Sequence, residues 1–234
     1  MARERLLGLH GVTFRTPDRV EVGPIHLEVH RRDKILLRCE PGTVYDAFLA
    51  LLTGELQPLA GRLDELKPVR IQTDRHLLET INPNRTLREL LAEARLPDSI
   101  WIGQRRRSLF GVMDRLGLET RYFHRPLKME PKAMADKFWA LRFLASGAEL
   151  LVGREIFALE DAAIREVLAQ RWGDLSAAVI YAGPEERIPA PPNAVLTFEA
   201  DGHVSVKVAD SLREAEEAGD EPAGVPTPEP PDER

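Results

Sequence analysis

Apolar and polar positions alternate along Val12-Thr13-Phe14 and again along Ile25-His26-Leu27-Glu28-Val29. A period of two marks strands with one buried and one solvated face, so both stretches predict a part-exposed antiparallel sheet. His26 and His30 are four residues apart, about 13 Å along such a strand, which excludes them as a chelating pair. The pattern then changes. Ile35-Leu36-Leu37 is a continuous apolar run, as expected for a parallel strand covered on both faces, and Leu150-Leu151-Val152 and Ala177 to Tyr181 read the same way. Val44 to Leu52 carries apolar residues at 44, 48, 51 and 52 and predicts a helix, stopped by Thr53-Gly54. Pro58 and Gly61 predict a turn, and Val69-Arg70-Ile71 a short strand.

The middle of the chain is helical in pattern. Thr86 is placed to cap a helix over Leu87 to Ala94, with Glu89 at the capping-box position. Further helices are predicted over Arg106 to Leu116, Lys132 to Ala145 and Asp161 to Trp172. Ala194 to Phe198, a turn at Asp201-Gly202 and Val204 to Val208 predict a hairpin. Strand–helix alternation flanked by antiparallel hairpins indicates an α/β core with a β-subdomain and a helical insertion. No internal repeat is visible.

Composition adds limits. Apolar residues make up 43% and charged residues 30% of 234 residues, an ordinary soluble balance. No apolar run approaches the roughly 20 residues that cross a bilayer, so no direct membrane span is expected. The opening Met-Ala-Arg-Glu-Arg-Leu-Leu lacks the apolar core of a secretory signal. Cys39 is the single cysteine, so a reducing cytoplasm is the default compartment. The net charge of −6 is local: Arg213 to Arg234 holds eight acids and two arginines, leaving 30 acids and 30 bases in residues 1–212. The expected division is therefore a folded domain over 1–212 and an acidic, proline-rich, disordered tail over 213–234. A neutral body gives no electrostatic case for nucleic acid, and Arg105-Arg106-Arg107 reads as a solvated helix end.

Several phrases carry a resemblance. These are Leu49 to Pro58 (LALLTGELQP), Asp114 to Glu119 (DRLGLE), Arg125-Pro126-Leu127, Ala140 to Ser146 (ALRFLAS) and Leu150 to Glu155 (LLVGRE). In order and spacing they resemble the ATP-binding subunits of ABC transporters over roughly residues 5–208. The resemblance implies an ABC-ATPase-like α/β fold: a P-loop-type, mostly parallel sheet core, an antiparallel β-subdomain and a helical subdomain, here about 86–146. It also implies ATP and Mg²⁺ as ligands, two facing subunits, and a membrane permease as partner.

The family's chemical positions are substituted. In the phosphate loop, backbone N–H groups and a lysine hold the phosphates while a hydroxyl ligates Mg²⁺. Aligned on the following helix, Cys39 takes the first glycine position, Val44 the second, Tyr45 the lysine and Asp46 the hydroxyl, with Pro41 and Gly42 between. A β-branched Val44 resists φ > 0, Pro41 has no N–H, Tyr45 cannot neutralise polyphosphate and Asp46 opposes it. The plainer reading of Glu40-Pro41-Gly42-Thr43 is a type II turn. At the Walker B end, Arg154 replaces the metal-side Asp and Glu155 stands at the catalytic glutamate position. The signature motif falls on Glu130-Pro131-Lys132-Ala133-Met134. Thr16 takes the adenine-stacking aromatic position, Gly183 the switch histidine and Gln72 the glutamine-loop position. Leu159-Glu160-Asp161 resembles a D-loop.

Asp46 and Arg154 exchange the polarity of the two groups that approach Mg²⁺ in the family, which leads us to expect an Asp46–Arg154 ion pair in the cation position. The reading that follows is a pseudo-ATPase, expected to hold no cofactor, acting as a structural or regulatory subunit beside a permease or an intact ABC ATPase paralogue. It would lie in the cytoplasm, peripheral to the inner face of the membrane. Two alternatives stand beside it: weak ATP hydrolysis with Glu155 as general base, and a soluble scaffold on the same fold.

Overall fold

The computed structural model describes residues 3–39, 42–65, 69–73, 84–93, 104–129, 133–145, 148–154, 159–183 and 189–209. The acidic segment 213–234 lies outside the described residues, as do the side chains of Arg105 to Arg107.

Two sheets organise the molecule. β1 (Arg5–Arg15) runs between β2 (Glu21–His30) and β4 (Ala60–Glu65) in an antiparallel three-stranded sheet. The period-two pattern is realised on β2, where Val22, Ile25, Leu27 and Val29 are buried while Glu21, His26 and Glu28 face water. β4 was not legible as a strand. The expected turn at Gly61 is instead strand backbone, packed against a register shift in β1 between His10 and Val12. Gly61 has φ +77° there, and any side chain would collide with the Gly11 carbonyl; only glycine fits.

The second sheet has the order β5 (Ile71–Thr73), β6 (Leu150–Gly153), β7 (Ala178–Ala182), β3 (Lys34–Arg38), β8 (Ala194–Phe198), β9 (Val204–Val208). The first five are parallel and β9 returns antiparallel. The first of these strands is displaced from the expected 69–71, because pairing with β6 fixes it: Ile71 lies opposite Leu150 and Thr73 opposite Val152.

Continuous apolar runs follow from two-sided burial. Leu36, Leu151, Val179 and Tyr181 face a helical core. Ile35, Leu37, Leu150, Val152, Ala178 and Ile180 face the opposite core, shared with the antiparallel sheet and α1 (Thr43–Leu52). Among the described residues the helical side holds α2 (Leu87–Glu93), α3 (Gln104–Arg115), α4 (Ala133–Ala145) and α5 (Ala162–Trp172), with 3₁₀ turns at Thr120–Phe123 and Leu127–Met129. The capping box forms: Thr86 N donates to Glu89 Oε2 at 2.8 Å and Glu89 N to Thr86 Oγ1 at 3.3 Å. Asp161 caps α5 by accepting from Ala163 N and Ile164 N. Among the described residues no helix is long and apolar enough to cross a membrane.

Charge is buried at the amino end of β3. Lys34 Nζ donates to the carbonyls of Arg32 (3.0 Å) and Ala177 (3.3 Å) and lies 5.6 Å from the Trp172 ring centroid. Burial brings its pKa down to about 8, against the pull of Asp33 in the other direction. Arg31 joins Glu4 at 2.7 Å and Glu149 at 3.1 Å, tying the antiparallel sheet to the parallel one.

Candidate functional site

In open α/β sheets, ligands bind beyond the carboxyl ends of the parallel strands. Here the carboxyl end of β3 leads through Cys39 to the start of α1, and that of β6 leads to Arg154. Gly42 is the residue before α1 and has φ 146°, ψ −146°. That region is essentially restricted to glycine. It departs from the type II turn, which places its third residue near φ +80°, ψ 0°; Glu40 and Pro41 lie outside the described residues. Val44 is inside α1, half-buried against the α1 core, rather than in a left-handed loop conformation.

Tyr45 and Arg154 meet. The Tyr45 ring is 4% exposed, and the Arg154 guanidinium carbon lies 5.3 Å from its centroid. This distance is within the roughly 6 Å over which a cation is attracted to an aromatic face. Cys39 lies nearby and half-buried. Burial pushes its thiol pKa up, and the Arg154 guanidinium pulls it down, placing that cation in electrostatic reach of the sulfur. The expected Asp46–Arg154 ion pair is not found: among the described residues no salt bridge joins the two. Successive helix residues are turned by about 100°, so the rotation that buries Tyr45 leaves Asp46 exposed. Arg154 lies over the Tyr45 ring and forms no ion pair with the Asp46 carboxylate.

The other positions are scattered in what they do. Thr16 is buried, and its hydroxyl accepts from Val20 N at 3.2 Å, closing a short loop on itself. Gly183 follows β7 and presents no side chain. Gln72 lies on the edge strand β5, with Nε2 reaching only the neighbouring Thr73 carbonyl at 3.5 Å. Met134 is half-buried against the helical core near the start of α4. Leu159 packs on that same core, and Asp161, besides capping α5, receives Lys137 Nζ at 3.7 Å. Glu155, Glu130, Pro131 and Lys132 lie outside the described residues, as does the Ala133 side chain. Among the described residues no cluster of three His, Cys, Asp or Glu side chains is placed to hold a metal ion.

Sequence reasoning identified both partners of the Tyr45–Arg154 contact but not the contact. Its signal was the coincidence of an aromatic at the lysine position with an arginine at the metal-side position.

No protein-family model matches the sequence, and no curated protein matches it significantly. Solved structures do match. CbiO1 of Clostridium perfringens, part of the ABC transporter complex CbiONQ, superposes with a TM-score of 0.66 at 14% identity, covering 92% of each chain. A chain of an inward-facing transporter assigned to the metal-chelate type of ABC transporter gives 0.66 at 14%, covering 89% of this chain and 85% of that one. MJ0796, a bacterial ABC transporter cassette solved as a dimer, gives 0.63 at 12%, covering 86% and 98%. The fold is that of an ABC transporter cassette. The match spans 85–98% of the length of these three chains.

Proposed function

We propose that the chain is a catalytically impaired ABC cassette, a pseudo-ATPase that serves as a structural or regulatory subunit of a membrane transporter complex. The observation that supports this most directly is the buried Tyr45 ring under the Arg154 guanidinium, at the two positions where the family places its phosphate-binding lysine and its metal-side aspartate. Those residues do not fit Mg-ATP. Tyr45 offers no positive charge, Arg154 would repel the metal it should help to hold, and Asp46 brings a carboxylate beside the phosphates. Charged hydrogen bonds are worth about 1.5–3 kcal/mol each, so losing several lowers affinity by orders of magnitude.

CbiO1 is part of an assembled transporter complex, and by the same architecture this chain would dock in the cytoplasm against a permease, beside an intact ATPase paralogue or both. Isothermal titration with Mg-ATP tests the reading. No binding heat is expected at concentrations that saturate an intact cassette, and a micromolar dissociation constant would overturn it. Co-purification from detergent extracts tests the partner: a recovered permease supports the transporter role, while exclusively soluble partners would replace it with a scaffold role.

A further inference from the structure

The helical side carries a basic surface that the proposed function does not use. Thr86 and Pro126 pair in an isolated antiparallel bridge, which lays the start of α2 beside the segment Thr120–Met129. Arg85, Arg88, Arg121, Arg125 and Lys128 are all exposed on these two adjoining stretches. The acids among residues 84–89 and 119–129 are Glu89 and Glu119 alone. Glu89 is engaged by Thr86, and Glu119 by Arg121 at 2.8 Å. Among the described residues Arg88, Arg125 and Lys128 make no ion pair. Met129, at the edge of the same surface, is 66% exposed. Five bases against two acids give these two stretches a charge of +3, or +2 when the next residue, Glu130, is counted, although residues 1–212 as a whole are neutral.

We propose that residues 213–234 of the same chain bind this surface as an acidic ligand in cis. The segment holds eight acids and two arginines, so its charge is opposite to that of the patch and larger in magnitude. Reach does not limit the contact. β9 ends at Val208, and the 26 residues after it can extend up to about 85 Å, whereas six strands at about 4.8 Å spacing put the two sheet edges only about 24 Å apart. Tethering supplies an effective concentration in the millimolar range, so even weak charge pairing is populated. The inference is independent of whether nucleotide binds.

Zero-length carbodiimide coupling of the full chain, read by mass spectrometry, tests it. Lys128 should form an amide with a carboxylate of residues 214–233, in monomers, at about 20 mM salt. At about 0.5 M salt the screening length shrinks from about 20 Å to about 4 Å, and the yield should drop at least about fivefold. An Arg88→Glu/Arg125→Glu variant should lose the coupling at low salt. Lys207, next to the segment, reports that the acids are reactive. Coupling at Lys207 with none at Lys128, coupling only between copies, or a salt-independent yield would each overturn the proposal.

Discussion

Replacing Arg154 by methionine removes the cation above Tyr45 while keeping a long apolar side chain. Cation–aromatic contacts are worth about 0.5–1 kcal/mol at exposed sites and about 2 kcal/mol when desolvated. Here the ring is 4% exposed, the arginine is half-buried and the separation is 5.3 Å, so a coupling of about 1 kcal/mol is expected. Either single substitution also changes packing, so the contact is isolated by a double-mutant cycle of Arg154→Met, Tyr45→Leu and the pair, measured by urea denaturation. In a chain of this size about 1 kcal/mol corresponds to a Tm shift of about 2–4 °C. A coupling smaller than about 0.3 kcal/mol, the scatter of additive sites, would refute the contact. Cys39 supplies a second readout. Arg154 lowers the thiol pKa against the effect of burial, so Arg154→Met should raise it further and slow alkylation, which proceeds through the thiolate. An alkylation rate equal to wild type would mean that the guanidinium is not at this end of the sheet.

Two further outcomes follow from the buried and capping charges. Lys34 loses its proton at about pH 8 in the native chain and near 10.4 when unfolded; between those values the unfolded chain binds more protons, so stability rises with pH there by at most about 1.4 kcal/mol per unit. Urea midpoints measured across that window should rise more in wild type than in Lys34→Met, and parallel pH profiles would rule the assignment out. Asp161→Ala removes the acceptor for two helix N–H groups and the partner of Lys137, which should cost about 1 kcal/mol in thermal denaturation, with Asp161→Asn recovering most of it; an alanine variant as stable as wild type would refute the cap's contribution.

Where the sequence was readable, the local pattern and the final environment agreed. β3, β6 and β7 are continuous apolar runs because both faces are covered, and the β8–β9 hairpin occupies the expected 194–198 and 204–208. Thr86 and Glu89 act locally, through N–H groups three residues away, so their spacing was enough to place them, whereas Asp161, read as the first residue of its helix, proves to be the cap before it. β4 was hidden because AGRLDE has no apolar alternation of its own; it is a strand because β1 offers it a partner. The position of β5 was likewise set by β6 and not by its own residues. At the site, charge alone suggested that Arg154 would seek Asp46. The orientation of α1 decided otherwise, and that orientation comes from packing Phe48, Leu51 and Leu52 into the core.

The Tyr45–Arg154 contact also bears on what keeps this end of the sheet folded. A cassette that binds nucleotide draws stability from it, about 2.7 kcal/mol when ligand is present at a hundred times its dissociation constant. Burying an aromatic side chain contributes about 1.5–3 kcal/mol by itself, and the cation above it adds about 1 kcal/mol. On the proposed reading, the substitutions therefore exchange a ligand-dependent stabilisation for an intrinsic one of similar size. The start of α1 is then held in place whether or not nucleotide is available, as a docking subunit that never cycles requires. It follows that Tyr45→Leu should loosen this end without creating any affinity for Mg-ATP, because the missing lysine and hydroxyl are not restored by emptying the space.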